Sequence, residues 1–575
     1  VGILAGPASG RDWQQDDKPF MDTMNVKSEH PAAGPRTGSA VFERAAVATL
    51  LLVFLILGAL SVRGKTSTFD EPRHYRYGMN ILDGDSDRFD DSKMPVSALN
   101  ALPAKIATGL PEGALRDLLE GLFAARMVTL GIAALVATLV YSWARMRHGF
   151  IPALFSMALY VFDPNIIAHS QLVTTDLYAL GTIALAFFCL WRFAHRRTPA
   201  NGLLCALALG LSQIAKYSSL ALYGLFFAAL FLFDLPEIKS FWRQDRRKMA
   251  GWIVRRYLIY AAAGLIVSLL VINMGFLFNR TFTHFGDYQF RSRPFQALQT
   301  GLPILDGAPV PVPYPYLEGL DWVIQREQTG EGYGKIYLLG ELRDGQGFKG
   351  YYLLVSLLKT PLASQILVAA ALVIYFLDRN RRRDFMGHEI FLLLPVVFYA
   401  VYFNFFYNAQ IGIRYYLVIF PFLYVLAGGL IAGWERFSKR RKILSLGMVA
   451  WLVVSVLAYY PYYLTYFNEL VPDKTLTYRY LADSNLDWGQ SKTELERYFR
   501  DHPEASQPPA NPQSGHFAVS ANRLVGITAD PERFRWLREN FRPVGTVANY
   551  YFVFEISQAE IDRLCMSAVE CGPMP

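Results

Sequence analysis

Two adjacent carboxylates, Asp70 and Glu71, sit in the stretch TSTFDEPRHYRYG (residues 66–78), directly after an apolar run that ends near Val62. A carboxylate at a membrane edge can take the proton of an attacking hydroxyl, because partial desolvation raises its pKa toward a useful range. Further along, DPNIIAHSQLVTTD supplies Asp163, His169 and Asp176, SQIAKYS supplies Lys216, and IGIRYY supplies Arg414. Fixed cations of this kind stabilise negative charge that develops where there is little water. Arg adds a fork that matches two phosphate oxygens. Ionisable groups at span ends are costly, so each is a functional candidate by default.

Each also has a plain structural reading. Pro164, Asn165 and Asp176 suit turns and helix caps, Lys216 and Arg414 can snorkel to the interface, and Asp70 with Glu71 can be solvated loop charges. His74 and His169 lack the paired spacing of a zinc site, so packing or hydrogen bonding is expected of them and no metal ligand is assigned. The acidic run from Asp83 to Asp91 lacks the ordered spacing of a calcium loop and reads as solvated.

The elements that must position these groups are membrane spans. More than half of the 575 residues are hydrophobic, with 33 Tyr and 41 Phe, which excludes an ordinary soluble domain. A span needs roughly 20 apolar residues, and about eleven segments qualify. They lie near 44–62, 122–142, 149–164, 174–193, 201–217, 218–234, 257–277, 353–377, 388–406, 412–433 and 443–461. The net charge of +8 is concentrated in every second short loop, as in RFAHRR (192–197) and ERFSKRRK (435–442). That is the positive-inside pattern of a membrane protein, and nucleic acid is not an expected partner. The N-terminus is then cytoplasmic and the C-terminus exoplasmic, and Asp70, Asp163, Asp176, Lys216 and Arg414 gather at the outer surface.

Residues 1–43 read as a disordered cytoplasmic tail. No cleavable leader is expected, because the first apolar run is long enough to remain a span. Met21 and Met24 are both candidate start residues. Residues 44–477 form the transmembrane domain, with outer loops at 63–121 and 278–352. PEGALRDLLEGLFAAR in the first loop reads as a helix lying on the membrane. Residues 478–575 alternate helix-like and strand-like patterns and read as a small α/β exoplasmic domain. Cys189 and Cys205 fall inside spans as small hydrophobes, whereas Cys565 and Cys571 lie where an oxidising compartment permits a disulfide.

FDEPRHYRYG, DPNIIAHSQLVTTD, GLSQIAKYSSL, YLLGE (337–341) with GYYLLVSLLKTPL (350–362), IGIRYYLVIFPFLYVLAG (411–428), and YFNELV (466–471) with LADSNLDWGQ (481–490) follow one another in the chain. In this order they resemble the GT-C superfamily of integral-membrane glycosyltransferases, in particular the bacterial branch related to protein O-mannosyltransferases and the lipid A aminoarabinose transferase. The resemblance implies an all-α polytopic GT-C fold of a bacterial inner membrane. It implies transfer of a hexose or pentose from a polyprenyl-phosphate donor to a hydroxyl of a protein or lipid acceptor, with inversion and without a required cofactor. A divalent cation is left as an open addition. Asp70, with Glu71, then carries the catalytic role, and Lys216 and Arg414 hold the donor phosphate. Asp163, His169, Asp176, Glu341, Asn485 and Asp487 are the expected substrate-binding residues. Two other classes fit parts of the pattern: a non-catalytic scaffold subunit, and a lipid or solute transporter, although no internal repeat supports the latter.

Overall fold

The computed structural model describes residues 37–85, 93–244, 251–379, 382 and 384–567. The expected tail up to residue 36, most of the acidic run, and Cys571 lie outside the described residues. Residues 1–46 separate as one unit, of which the described part is the beginning of helix Thr37–Val62; residues 47–575 form the other.

The second unit is a mostly helical multi-span membrane domain with a small mixed sheet near its C-terminal end. All eleven apolar segments form helix, but not eleven full spans. Among the described residues, six helical segments are long and apolar enough to cross a membrane, or up to eight if two bent pairs each count as one. The physical reason lies in local breaks. Pro361 holds Thr360 in extended conformation, as a residue before proline prefers, and bends Tyr351–Lys359 against Leu362–Leu377 by 117°. Asp163-Pro164 does the same between Phe150–Val161 and Pro164–Ser170, at 63°. There Asp163 caps the second helix, accepting the N–H groups of Asn165 at 2.7 Å and Ile166 at 3.2 Å. Pro199–Gln213 and Ile390–Phe405, at 15 and 16 residues, fall short by length. Lys439–Leu457 opens on a charged turn.

The segments that follow the apolar helices build the site's walls. The first contains helix Glu71–Leu82 and the short helix Ala114–Glu120, whose Leu115 and Leu118 are exposed. The second contains helix Tyr314–Thr329 and a hairpin of β1 (Lys335–Leu338) and β2 (Glu341–Asp344). Near the C-terminus, β3 (Ala505–Ser506), β4 (Gly515–Ser520), β5 (Gly545–Val547) and β6 (Tyr551–Ile556) pair in the order β3-β4-β6-β5. The β3-β4 pair is parallel and the others antiparallel. The stretch HFAVSANRLVG is strand only in its first half: the chain leaves β4 at Ser520 and turns into helix Ala521–Leu524. Cys189 and Cys205 are buried free thiols.

Candidate active site

Four charged side chains from distant parts of the sequence form one alternating chain. Lys216 Nζ donates to Asp176 Oδ1 at 2.5 Å, Asp176 Oδ2 lies 3.9 Å from Arg414 Nη1, and Arg414 Nη1 donates to Asp70 Oδ2 at 2.7 Å. All four line a cavity of about 1570 Å³. Local structure brings each of them there. Asp70 is the N-cap position of helix Glu71–Leu82, Asp176 begins helix Asp176–His195, and Lys216 is the extended residue before the turn Tyr217–Ala221.

Arg414 is held by the segment LADSNLDWGQ. Gly412 adopts φ +76°, and a Cβ there would meet Ser484 Oγ at 2.4 Å, so the two backbones can approach only with glycine. Ser484 Oγ donates to the Ile411 carbonyl at 2.7 Å, and Asn485 Oδ1 accepts the Ile413 N–H at 3.1 Å. The guanidinium then stacks over Trp488, 4.5 Å from the ring centre. Two buried atoms in this network have no hydrogen-bond partner among the described residues, Arg414 Nε and Asp176 Oδ2. Buried polar groups are normally paired, so the hydrogen bonding of this network is incomplete as it stands.

The electrostatics correct the simple expectation for Asp70. Burial does push its carboxyl up, but the Arg414 guanidinium, the Lys93 ammonium and the hydrogen bond to Arg414 outweigh it and hold the group below the usual carboxylate range. Burial pushes the Lys216 ammonium down to about 8, against the attraction of Asp176. His74 is neutral: burial, then Lys93, push it down to about 3, and its Nδ1 pairs with Ser97 Oγ at 3.1 Å.

The remaining expected site residues separate into groups. Glu71 is sealed away from the cavity. Its Oε1 accepts from Arg126 Nε at 2.8 Å and Val173 N–H at 3.0 Å, and its Oε2 accepts from Arg126 Nη2 at 2.7 Å and Thr68 N–H at 2.8 Å. Asp163 is spent on its cap and on the Tyr424 hydroxyl. His169 is buried against the ring of Trp488, 6.1 Å between centres, and does not line the cavity. Glu341 is exposed on β2, paired with Arg343 at 2.7 Å and away from the cavity. Asn485 acts through the backbone before Arg414. Asp487 does line the cavity, with one oxygen accepting the Gly489 N–H at 3.2 Å. Sequence reasoning missed Lys93, Asp483 and Trp488, which also line it. LADSNLDWGQ contained the signal for the last two, whereas Lys93 was hidden beside an acidic run.

Comparison with known proteins gives a family-model match over part of the chain. Residues 120–289 match the model for dolichyl-phosphate-mannose-protein mannosyltransferase. No curated protein matches. Among solved structures, the chain is similar to ArnT from Cupriavidus metallidurans bound to undecaprenyl phosphate, with 15% identity, TM-score 0.46, and coverage of 87% of this chain and 85% of that one. Apo ArnT gives 15% identity, TM-score 0.41, and coverage of 75% and 66%. The archaeal oligosaccharyltransferase AglB from Archaeoglobus fulgidus, in complex with an inhibitory peptide and a dolichol-phosphate, gives 13% identity, TM-score 0.46, and coverage of 80% and 60%. The chain thus spans just under two thirds of apo ArnT and of AglB.

Proposed function

We propose that this chain, whose residues 120–289 match the model for dolichyl-phosphate-mannose-protein mannosyltransferase, is a membrane glycosyltransferase that moves a sugar from a polyprenyl-phosphate donor to an acceptor hydroxyl. The reaction takes place on the exoplasmic side of a bacterial inner membrane, and the sugar is a hexose or a pentose. The acceptor is a protein or a lipid. The observation that carries this reading is the Lys216–Asp176–Arg414–Asp70 chain of charges around one cavity.

In the reaction, the donor phosphate enters against Arg414 and Lys216. Arg414 exchanges Asp70 for phosphate oxygens, and its open Nε supplies the second prong of the fork. Asp70 loses the cation that holds its pKa down and becomes a stronger base at the moment a substrate is present. It then takes the proton of the acceptor hydroxyl as that oxygen attacks the anomeric carbon. The carbon–phosphate-oxygen bond breaks, its electron pair leaves with the phosphate, and Lys216 and Arg414 neutralise the charge. In-line displacement inverts the carbon. This chemistry requires no cofactor, since side chains provide both the base and the counter-charge.

The test uses the full chain in lipid nanodiscs, given radiolabelled polyprenyl-phosphate hexose or pentose and membranes from cells lacking the chain. Label is expected to enter the acceptor with the wild type and to fall about 100-fold or more with Asp70→Asn. That variant should still bind undecaprenyl phosphate. A wild type that moves no label from any donor, or an Asp70→Asn variant as active as wild type, would overturn the reading.

A further inference from the structure

Asp483 shares the cavity with Asp70, Lys216 and Arg414. Its backbone lies in the left-handed region, at φ +56°, which is uncommon for a residue with a side chain. Asn522, beside the C-terminal sheet, fastens it there. Asn522 Oδ1 accepts the Asp483 N–H at 2.7 Å, its Nδ2 donates to the Asp487 carbonyl at 2.8 Å, and its own N–H donates to the Asp487 carboxylate at 3.3 Å. One Asp483 oxygen accepts the Ser484 N–H at 2.5 Å. The other has no hydrogen-bond partner among the described residues.

The cavity draws its lining from two parts of the chain. Leu220, Phe398 and Phe403 from the helical domain give it apolar lining of a kind that suits a lipid tail, and Lys216 and Arg414 line it as well. The C-terminal region adds the polar residues Ser520, Asn522 and Thr528 together with Val519, Ile527 and Tyr551. Asp483 is bonded to Asn522 and feels the charges of Arg414, Asp70 and Asp487. A carboxylate in this position repels a phosphate and attracts a hydrogen-bond donor. It therefore faces what arrives from water.

We propose that Asp483 binds the acceptor, taking a hydrogen bond from an uncharged hydroxyl or amide group that neighbours the reacting hydroxyl. The acceptor site so formed selects a neutral, donor-bearing group and disfavours a phosphorylated one. This rests on the glycosyl-transfer reading above and adds to it the chemistry of the acceptor. Burial, followed by Asp70 and Asp487, pushes the Asp483 carboxyl up to about 6, against the Ser484 N–H and Arg414. Tyr351 also feels its charge. Acceptor affinity therefore weakens as pH falls through that value.

Two variants test the proposal in the nanodisc assay, with membranes from cells lacking the chain titrated as the acceptor. Asp483→Asn keeps the shape and removes the charge. Asp483→Gly removes the carboxylate and suits the left-handed backbone. Both are expected to raise the apparent KM for acceptor roughly 10-fold or more. The kcat at saturation should stay within about 3-fold, and binding of undecaprenyl phosphate should not change, since a hydrogen bond made equally in ground and transition states alters KM alone. The rise of acceptor KM below pH 6 should be present in the wild type and absent in Asp483→Gly. An unchanged KM in both variants, or a loss of undecaprenyl phosphate binding in Asp483→Gly, would overturn the acceptor assignment while leaving transfer itself intact. A wild type that transfers from no donor would overturn both readings.

Discussion

Asp70 and Glu71 are neighbours in the chain, each paired to an arginine at 2.7 Å, yet the two pairs sit in opposite surroundings. The Glu71–Arg126 pair is sealed: Glu71 is 0% exposed, and the backbone of Thr68 and Val173 completes its hydrogen bonds. Arg126 also donates to the Thr66 carbonyl at 2.8 Å and to the Lys65 carbonyl at 3.3 Å. The Asp70–Arg414 pair is open: the Asp70 side chain is 18% exposed to a large cavity, and Arg414 keeps an unpartnered Nε. An ion pair with every donor and acceptor satisfied is scaffold, because exchanging any partner costs a buried hydrogen bond. One that is left incomplete at a cavity can trade its partner for a ligand.

The largest effect should come from breaking the sealed pair. Arg126→Ala leaves a buried carboxylate without its counter-charge, which costs about 3–5 kcal/mol of stability. The expected result is a variant that is mostly lost from the membrane fraction or unfolds far below the wild-type Tm, measured by thermal unfolding in nanodiscs. If it is stable but inactive, the two pairs are not distinct in kind. Asp70→Asn should do the reverse: Tm near that of the wild type, with transfer reduced by about 10²- to 10⁴-fold, the usual range for a lost general base.

A smaller effect separates the cation from the bases around it. With Lys216 titrating at about 8, kcat/KM for the donor should be level below that pH and fall as pH rises above it, approaching tenfold per unit. Stability moves with the opposite sign. The folded pKa lies below the ordinary lysine value of 10.5, so the unfolded chain binds more protons between about 8 and 10.5, and the contribution of this residue to stability rises over that window. A donor profile unaffected by pH up to 10 would remove Lys216 from the phosphate site.

Composition and charge alternation made the membrane class legible, and the order of the polar stretches brought Asp70, Asp176, Lys216 and Arg414 to one surface. These follow from lipid solvation, which acts on long segments and leaves a strong record in sequence. The span count was less legible, because a helix bent at Thr360-Pro361 and one halved at Asp163-Pro164 have nearly the same apolar content as straight spans. The fate of Glu71 was illegible for a different reason. Whether a carboxylate is saturated depends on Arg126 and Val173, which are far from it in sequence, and no local pattern announces them. Glu341 was carried by motif order alone, and a two-strand hairpin places it in solvent.

The smallest expected effect is the sharpest use of the comparison. Asp483→Gly removes a carboxylate from the open region, and its consequences for stability nearly cancel. Glycine accepts φ +56° without the steric cost that an L-residue bears, a gain of roughly 1 kcal/mol. Against this stand the greater freedom of glycine in the unfolded chain and the loss of the Ser484 N–H bond, each also worth roughly 1 kcal/mol or less. Tm should therefore stay within a few degrees of the wild type, on the order of what about 1 kcal/mol shifts in a chain of this size. A stable glycine variant with weakened acceptor saturation assigns Asp483 to the open region with Asp70. One that unfolds as Arg126→Ala does would move it to the sealed region with Glu71, and the boundary between scaffold and site would then run through LADSNLDWGQ rather than between residues 70 and 71.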